Sequence, residues 1–88
     1  MATGETHANY LRDLGGLLRQ RAEETAREAR AIRAKRRVEE RTSEDAFAAG
    51  LNHAYYEVIS LMQQQADAFG LALADLELEG LDPERDLT

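Results

Sequence analysis

The 88-residue chain has no cysteine and no tryptophan, one proline, six glycines, three tyrosines and two phenylalanines. Without cysteine, a disulfide scaffold, a thiolate-ligated zinc module and a thiol nucleophile are excluded. One proline and few glycines argue against a loop-rich fold. No uncharged run approaches the roughly 18–20 residues of a membrane span, and no basic-then-apolar leader pattern is present. These absences predict a soluble, cytoplasmic chain that does not enter a membrane. Large core side chains are scarce as well, because fifteen of the 38 apolar residues are alanine. A single domain over residues 1–88 with so thin a core needs a very regular helical architecture, a partner or self-association.

The net charge of −6 conceals an uneven distribution. Residues 1–18 carry −1, residues 19–41 carry +4 and residues 42–88 carry −9. A basic segment followed by an acidic one can pair within the chain or between protomers, or present two faces to two partners. Ten of the eleven cations are arginine. Together with the alanine content this fits GC-rich bacterial coding, so the arginines alone do not indicate phosphate or carboxylate recognition.

What is abundant is helix-forming. From Thr6 to about Arg41 no proline occurs, and Leu11, Leu14, Leu18, Ala22, Thr25, Ala29 and Ile32 recur at spacings of three and four. This predicts a first amphipathic helix over about 6–41, capped by Thr3 or Thr6. Gly15-Gly16 is the expected kink or boundary, since each glycine costs roughly 1 kcal/mol inside a helix. Between Arg19 and Ala46 the only large aliphatic residues are Ile32 and Val38. That stretch is either an exposed arm or an alanine seam for close helix approach.

Thr42-Ser43-Glu44-Asp45 places a hydroxyl and carboxylates where a helix start needs them. A second helix over about 43–69 follows, stopped by Gly70. On a helical wheel Phe47, Leu51, Ala54, Tyr55, Val58, Ile59, Leu61, Met62, Ala66 and Phe69 fill roughly 160°, wider than the approximately 100° one neighbour requires. One neighbour is the first helix, folded back as an αα-hairpin. The other is most economically the same helix of a second protomer, giving an antiparallel four-helix bundle about a two-fold axis. The predicted core and dimer residues are therefore Phe47, Leu51, Tyr55, Val58, Met62, Gln65 and Phe69. Gln65 lies within the apolar arc, where it either fixes register against its symmetry mate or lies exposed at the bundle end.

The acidic segment 71–88 contains Leu71, Leu73, Leu76, Leu78, Leu81 and Leu87. A turn near 72–77 is expected, then a last short helix with Asp82 as cap and Pro83 in the first position. The tail either packs across the hairpin, the favoured reading, or folds on a partner.

No Ser-His-Asp order, glycine-rich phosphate loop or pair of apolar-flanked carboxylates is present, so no catalytic site and no cofactor are assigned. His53 and Glu57 are an i, i+4 pair, read as a solvated polar pair and not as metal ligands. Arg12, Arg19, Arg30, Arg33, Arg37 and Arg41 form a stripe on the first helix. Of these Arg19, Arg30, Arg33, Arg37 and Arg41 are candidate contacts for a protein partner or a phosphate backbone. The competing reading is a solvated face laced with Glu–Arg pairs. Tyr56, on the polar side of the second helix, is either a cover for the tail or an anchor for an outside partner. The functional expectation is a non-enzymatic helical interaction module, a homodimeric adaptor or regulator that binds another protein. A nucleic-acid-associated regulator is the alternative.

Overall fold

The computed structural model describes residues 4–88, and Thr3, one of the two expected caps, lies outside them. Two long helices, α1 (Gly4–Lys35) and α2 (Ser43–Ala68), are followed by a one-turn helix α3 (Pro83–Asp86). Short 3₁₀ turns lie at Val38–Glu40 and Leu73–Leu76, and no strand occurs among the described residues. The seven-residue connection from 36 to 42 folds α2 back on α1 as an antiparallel hairpin. The expected all-α helical hairpin with a partly helical tail is the architecture observed. The radius of gyration is 15.5 Å and the extents are 53 × 24 × 16 Å. A compact chain of this length would have a radius of gyration of about 12 Å, so the molecule is a short rod.

The inner face of α1 is an alanine seam. Ala22 and Ala26 are buried against Ile59 and Ala66 of α2 and the tail leucines Leu76, Leu78, Leu81 and Leu87, and Ala29 continues the buried line toward the turn. Small side chains let the elements approach closely, and the tail supplies the volume the seam lacks. Leu71 stays exposed, whereas Leu76, Leu78, Leu81 and Leu87 close the groove along the hairpin.

Two expectations about α1 are corrected. The helix runs through Gly15-Gly16 without a boundary. The glycines serve a nonlocal purpose: a Cβ on Gly15 would lie 1.9 Å from the Leu76 carbonyl oxygen, so only glycine lets the tail backbone cross there. Gly16 is more relaxed, since a Cβ added there would meet only the Glu77 side chain, at 3.7 Å. The helix also ends at Lys35, six residues before Arg41. Arg36 still donates its N–H to Ile32, but its guanidinium reaches forward to the Asp45 carboxylate at 2.6 Å. That contact draws the two helix ends together and leaves 37–41 as an extended and 3₁₀ connection.

The limits of α2 agree with local chemistry. Thr42 Oγ1 accepts from the Asp45 N–H at 3.2 Å while the Asp45 carboxylate accepts from the Thr42 N–H at 3.0 Å, a reciprocal capping box. At the other end Gly70 has φ +69°, Leu71 N–H bonds to Ala66 O and Gly70 N–H to Asp67 O, a Schellman stop. Asp82 caps α3 through the Glu84 N–H, with Pro83 in its first turn.

Candidate interaction surfaces

The tail has buried leucines but no regular ladder for its backbone, so its carbonyls need donors from elsewhere. The arginine stripe provides them. Arg19 Nη1 donates to Glu77 O at 3.1 Å and to Glu79 O at 2.8 Å. Arg30 donates to the Asp86 carbonyl and, through Nε at 3.2 Å, to the Thr88 backbone oxygen. Arg12 stands 3.8 Å from the Glu77 carboxylate, and Gln63 of α2 donates to Leu81 O at 2.9 Å. Three of the six arginines in the stripe therefore face the tail. Arg33, Arg37 and Arg41 remain exposed near the hairpin turn, with Glu39 4.0 Å from Arg37. The stripe is thus divided into a tail clamp and a turn end.

Tyr56 is half-buried and donates its hydroxyl hydrogen to Glu84 of α3, while its ring stacks on His53 with centroids 6.1 Å apart. Of its two readings, the cover for the tail is the one the geometry displays. The acceptor carboxylate raises the Tyr56 pKa, because it binds the neutral phenol and repels the phenolate. His53 Nε2 lies 3.2 Å from Glu57 Oε1 with both side chains exposed. Among the described residues no group of three or more His, Asp or Glu is placed to hold a metal.

The arc of α2 is divided in two. Tyr55 and Met62 are half-buried against the core, next to Ile59 and Ala66. Phe47, Leu51, Val58, Gln65 and Phe69 are exposed, joined by Leu61. Phe47 and Phe69 are 72% and 76% exposed, the reverse of what phenylalanine does in a core. On α1, Tyr10, Leu11, Leu14 and Leu17 are uncovered too, over the half of that helix that runs beside the C-terminal half of α2. Leu61, Leu17 and Tyr10 were not among the predicted interface residues. Leu61 was legible in the alternating three- and four-residue steps of the row, whereas Tyr10 and Leu17 lie off the alanine line of α1 and carry no such signal.

At the turn end Asp45 is buried between Thr42 and Arg36. The Thr42 N–H and then the Arg36 guanidinium hold its carboxyl below the ordinary aspartate range, outweighing the opposing effect of burial. No described helix is long and apolar enough to cross a membrane. Compared with protein-family models, curated protein sequences and solved structures, the chain matches none.

Proposed function

We propose that the protein is a small, non-enzymatic helical interaction module, a homodimeric adaptor or regulator that engages a further protein. The observation that carries this reading is the uncovered apolar face of α2. The core closes with alanines and tail leucines and leaves both phenylalanines outside it. Tyr10, Leu14 and Leu17 of α1 are uncovered as well. Apolar side chains exposed singly are ordinary, whereas this many large ones along two neighbouring helices mark an interaction site. The turn end, with Arg33, Arg37 and Arg41, is the surface left for an acidic protein partner. Photo-crosslinking tests the reading. A crosslinker at Leu61 is expected to give protein adducts, to a second copy or to another chain, while one at exposed Glu79, on the outside of the tail that covers the Ile59 side, gives none. No adduct from Leu61 would overturn it.

The exposure of Arg33, Lys35, Arg37 and Arg41 at one end of the rod favours a second reading, contact with a nucleic-acid backbone. It predicts binding that weakens steeply between about 50 and 200 mM salt and is lost when Arg33, Arg37 and Arg41 become Glu. Absence of salt-sensitive binding by the native chain would remove it.

A further inference from the structure

We infer that the uncovered row of α2 is the seam of an antiparallel pair formed with a second copy of this chain. The inference rests on the interaction-module reading and names the first partner of that face. Its basis is spacing. The exposed residues Phe47, Leu51, Ala54, Val58, Leu61 and Gln65 follow one another at steps of four, three, four, three and four. That is the a/d alternation of a two-helix seam, which a helix resting on a flat or irregular surface has no need to keep.

Orientation follows from three features. First, α2 spans Ser43–Ala68, so its midpoint lies between residues 55 and 56. A two-fold axis beside that midpoint, level with Tyr56, sets Phe47 against the partner's Gln65, Leu51 against the partner's Leu61 and Ala54 against the partner's Val58. Every position of the row then has an opposite number, and the helices overlap over nearly their whole length. Second, the rod is electrically asymmetric. Its open end, made of residues 4–16 and 65–80, carries Glu5, Asp13, Asp67, Asp75, Glu77 and Glu79 against the single cation Arg12. The turn end, residues 33–45, sets Arg33, Lys35, Arg36, Arg37 and Arg41 against Glu39, Glu40, Glu44 and Asp45, so it is close to neutral where the open end is strongly acidic. A parallel pair would place the two acidic ends side by side, whereas an antiparallel pair avoids that repulsion by placing each beside a nearly neutral turn. Third, the helix dipoles of α2 and its copy oppose each other in the antiparallel arrangement. The same register brings the partner's Phe47 toward the end of the rod where Leu14 and Leu17 of α1 lie uncovered. Gln65 then sits at the outer layer of the seam, near solvent.

The test is light scattering of the full chain over a micromolar dilution series, with circular dichroism on the same samples. The expected mass is twice the 9.8 kDa of the chain. Val58→Glu and Leu61→Glu, both at exposed positions, should each keep the helicity and weaken pairing by about 100-fold or more. Orientation is read by cysteine pairing, which the cysteine-free chain permits. Leu51→Cys chains mixed with Leu61→Cys chains should form a mixed disulfide, and Gln65→Cys alone should form none. A covalent Gln65→Cys homodimer would overturn the antiparallel register. A native monomer whose Leu61 crosslinker still captures another protein overturns the pair, and with it the homodimeric part of the interaction-module reading, and leaves the engagement of a further protein standing. A monomer without adducts overturns both.

Discussion

The two sides of α2 use apolar residues in opposite ways. Facing inward are Ala48, Ile59 and Ala66, small or medium side chains, the last two buried among the leucines of 76–87. Facing away are two phenylalanines, Leu51, Val58 and Leu61, all exposed. Size therefore runs against burial. The inner side is built for close approach of three elements, and its shortage of volume is met from within the chain. The outer side carries volume that nothing in the chain covers. The difference separates what stabilises the protomer from what is available for association, and it can be tested one residue at a time.

The largest effect is expected inside. Ile59→Ala removes the largest side chain of α2 that is fully buried, and should cost about 2–4 kcal/mol in urea unfolding. Phe47→Ser and Phe69→Ser, although larger truncations, should each change protomer stability by less than about 0.5 kcal/mol, measured where the chain is monomeric. Comparable costs on both sides would erase the contrast. Next comes the crossing at Gly15. Gly15→Ala drives a methyl group into the Leu76 carbonyl and should destabilise by about 1–3 kcal/mol despite the better helix propensity of alanine. Gly16→Ala, which meets only a flexible side chain, should gain up to about 1 kcal/mol. Opposite signs for adjacent glycines are the signature of a backbone notch. A smaller loss, about 1–2 kcal/mol, is expected for Arg19→Met, which removes the donors to Glu77 O and Glu79 O. Amide exchange should show the loss locally, as faster exchange at Leu78 and Leu81.

The smallest effect is set by pH. Asp45 is more acidic in the fold than in the unfolded chain, so the unfolded state takes up its proton first. The stabilisation is complete above the ordinary aspartate value of about 3.9 and is lost as pH falls through the lower folded value. Asp86, held down by Arg85 and the Asp82 N–H, acts with the same sign at the tail. Acid titration of native chain and Asp45→Asn should converge at low pH, with the difference between them present at neutral pH.

How legible each feature was in the sequence depended on how local its cause is. The ends of α2 are encoded within four residues, by Thr42 with Asp45 and by Gly70, and they were read to within one residue. The Asp82-Pro83 start of α3 is of the same kind. The end of α1 has no glycine or proline to mark it. It is fixed by Arg36 reaching Asp45 across the turn, a contact that appears only once the hairpin exists. Gly15-Gly16 was visible as an exception in a helix-forming segment, but its meaning lay far along the chain, in the path of Leu76. The wide arc of α2 correctly implied more apolar surface than α1 alone covers. Which half faces the protomer depended on the tail, whose leucines claim the Ile59 side. The arginine stripe was legible only as far as Arg33, since Arg37 and Arg41 fall in the connection beyond the end of α1. Its clamp was not legible, because the ligands of the clamp are backbone oxygens without any residue signature.

That choice of ligand has a consequence for how the chain can vary. Arg19 and Arg30 grip main-chain oxygens of residues 77, 79, 86 and 88, so they recognise where the tail runs and are indifferent to most of what it is made of. In a saturation-mutagenesis map, Asp75, Glu79 and other outward tail positions should accept nearly any side chain. Leu78, Leu81, Leu87 and the two clamping arginines should accept very few. The tail would read as a strap with a fixed weave and an exchangeable surface, the part of the molecule on which new side-chain chemistry can be written without refolding the rest.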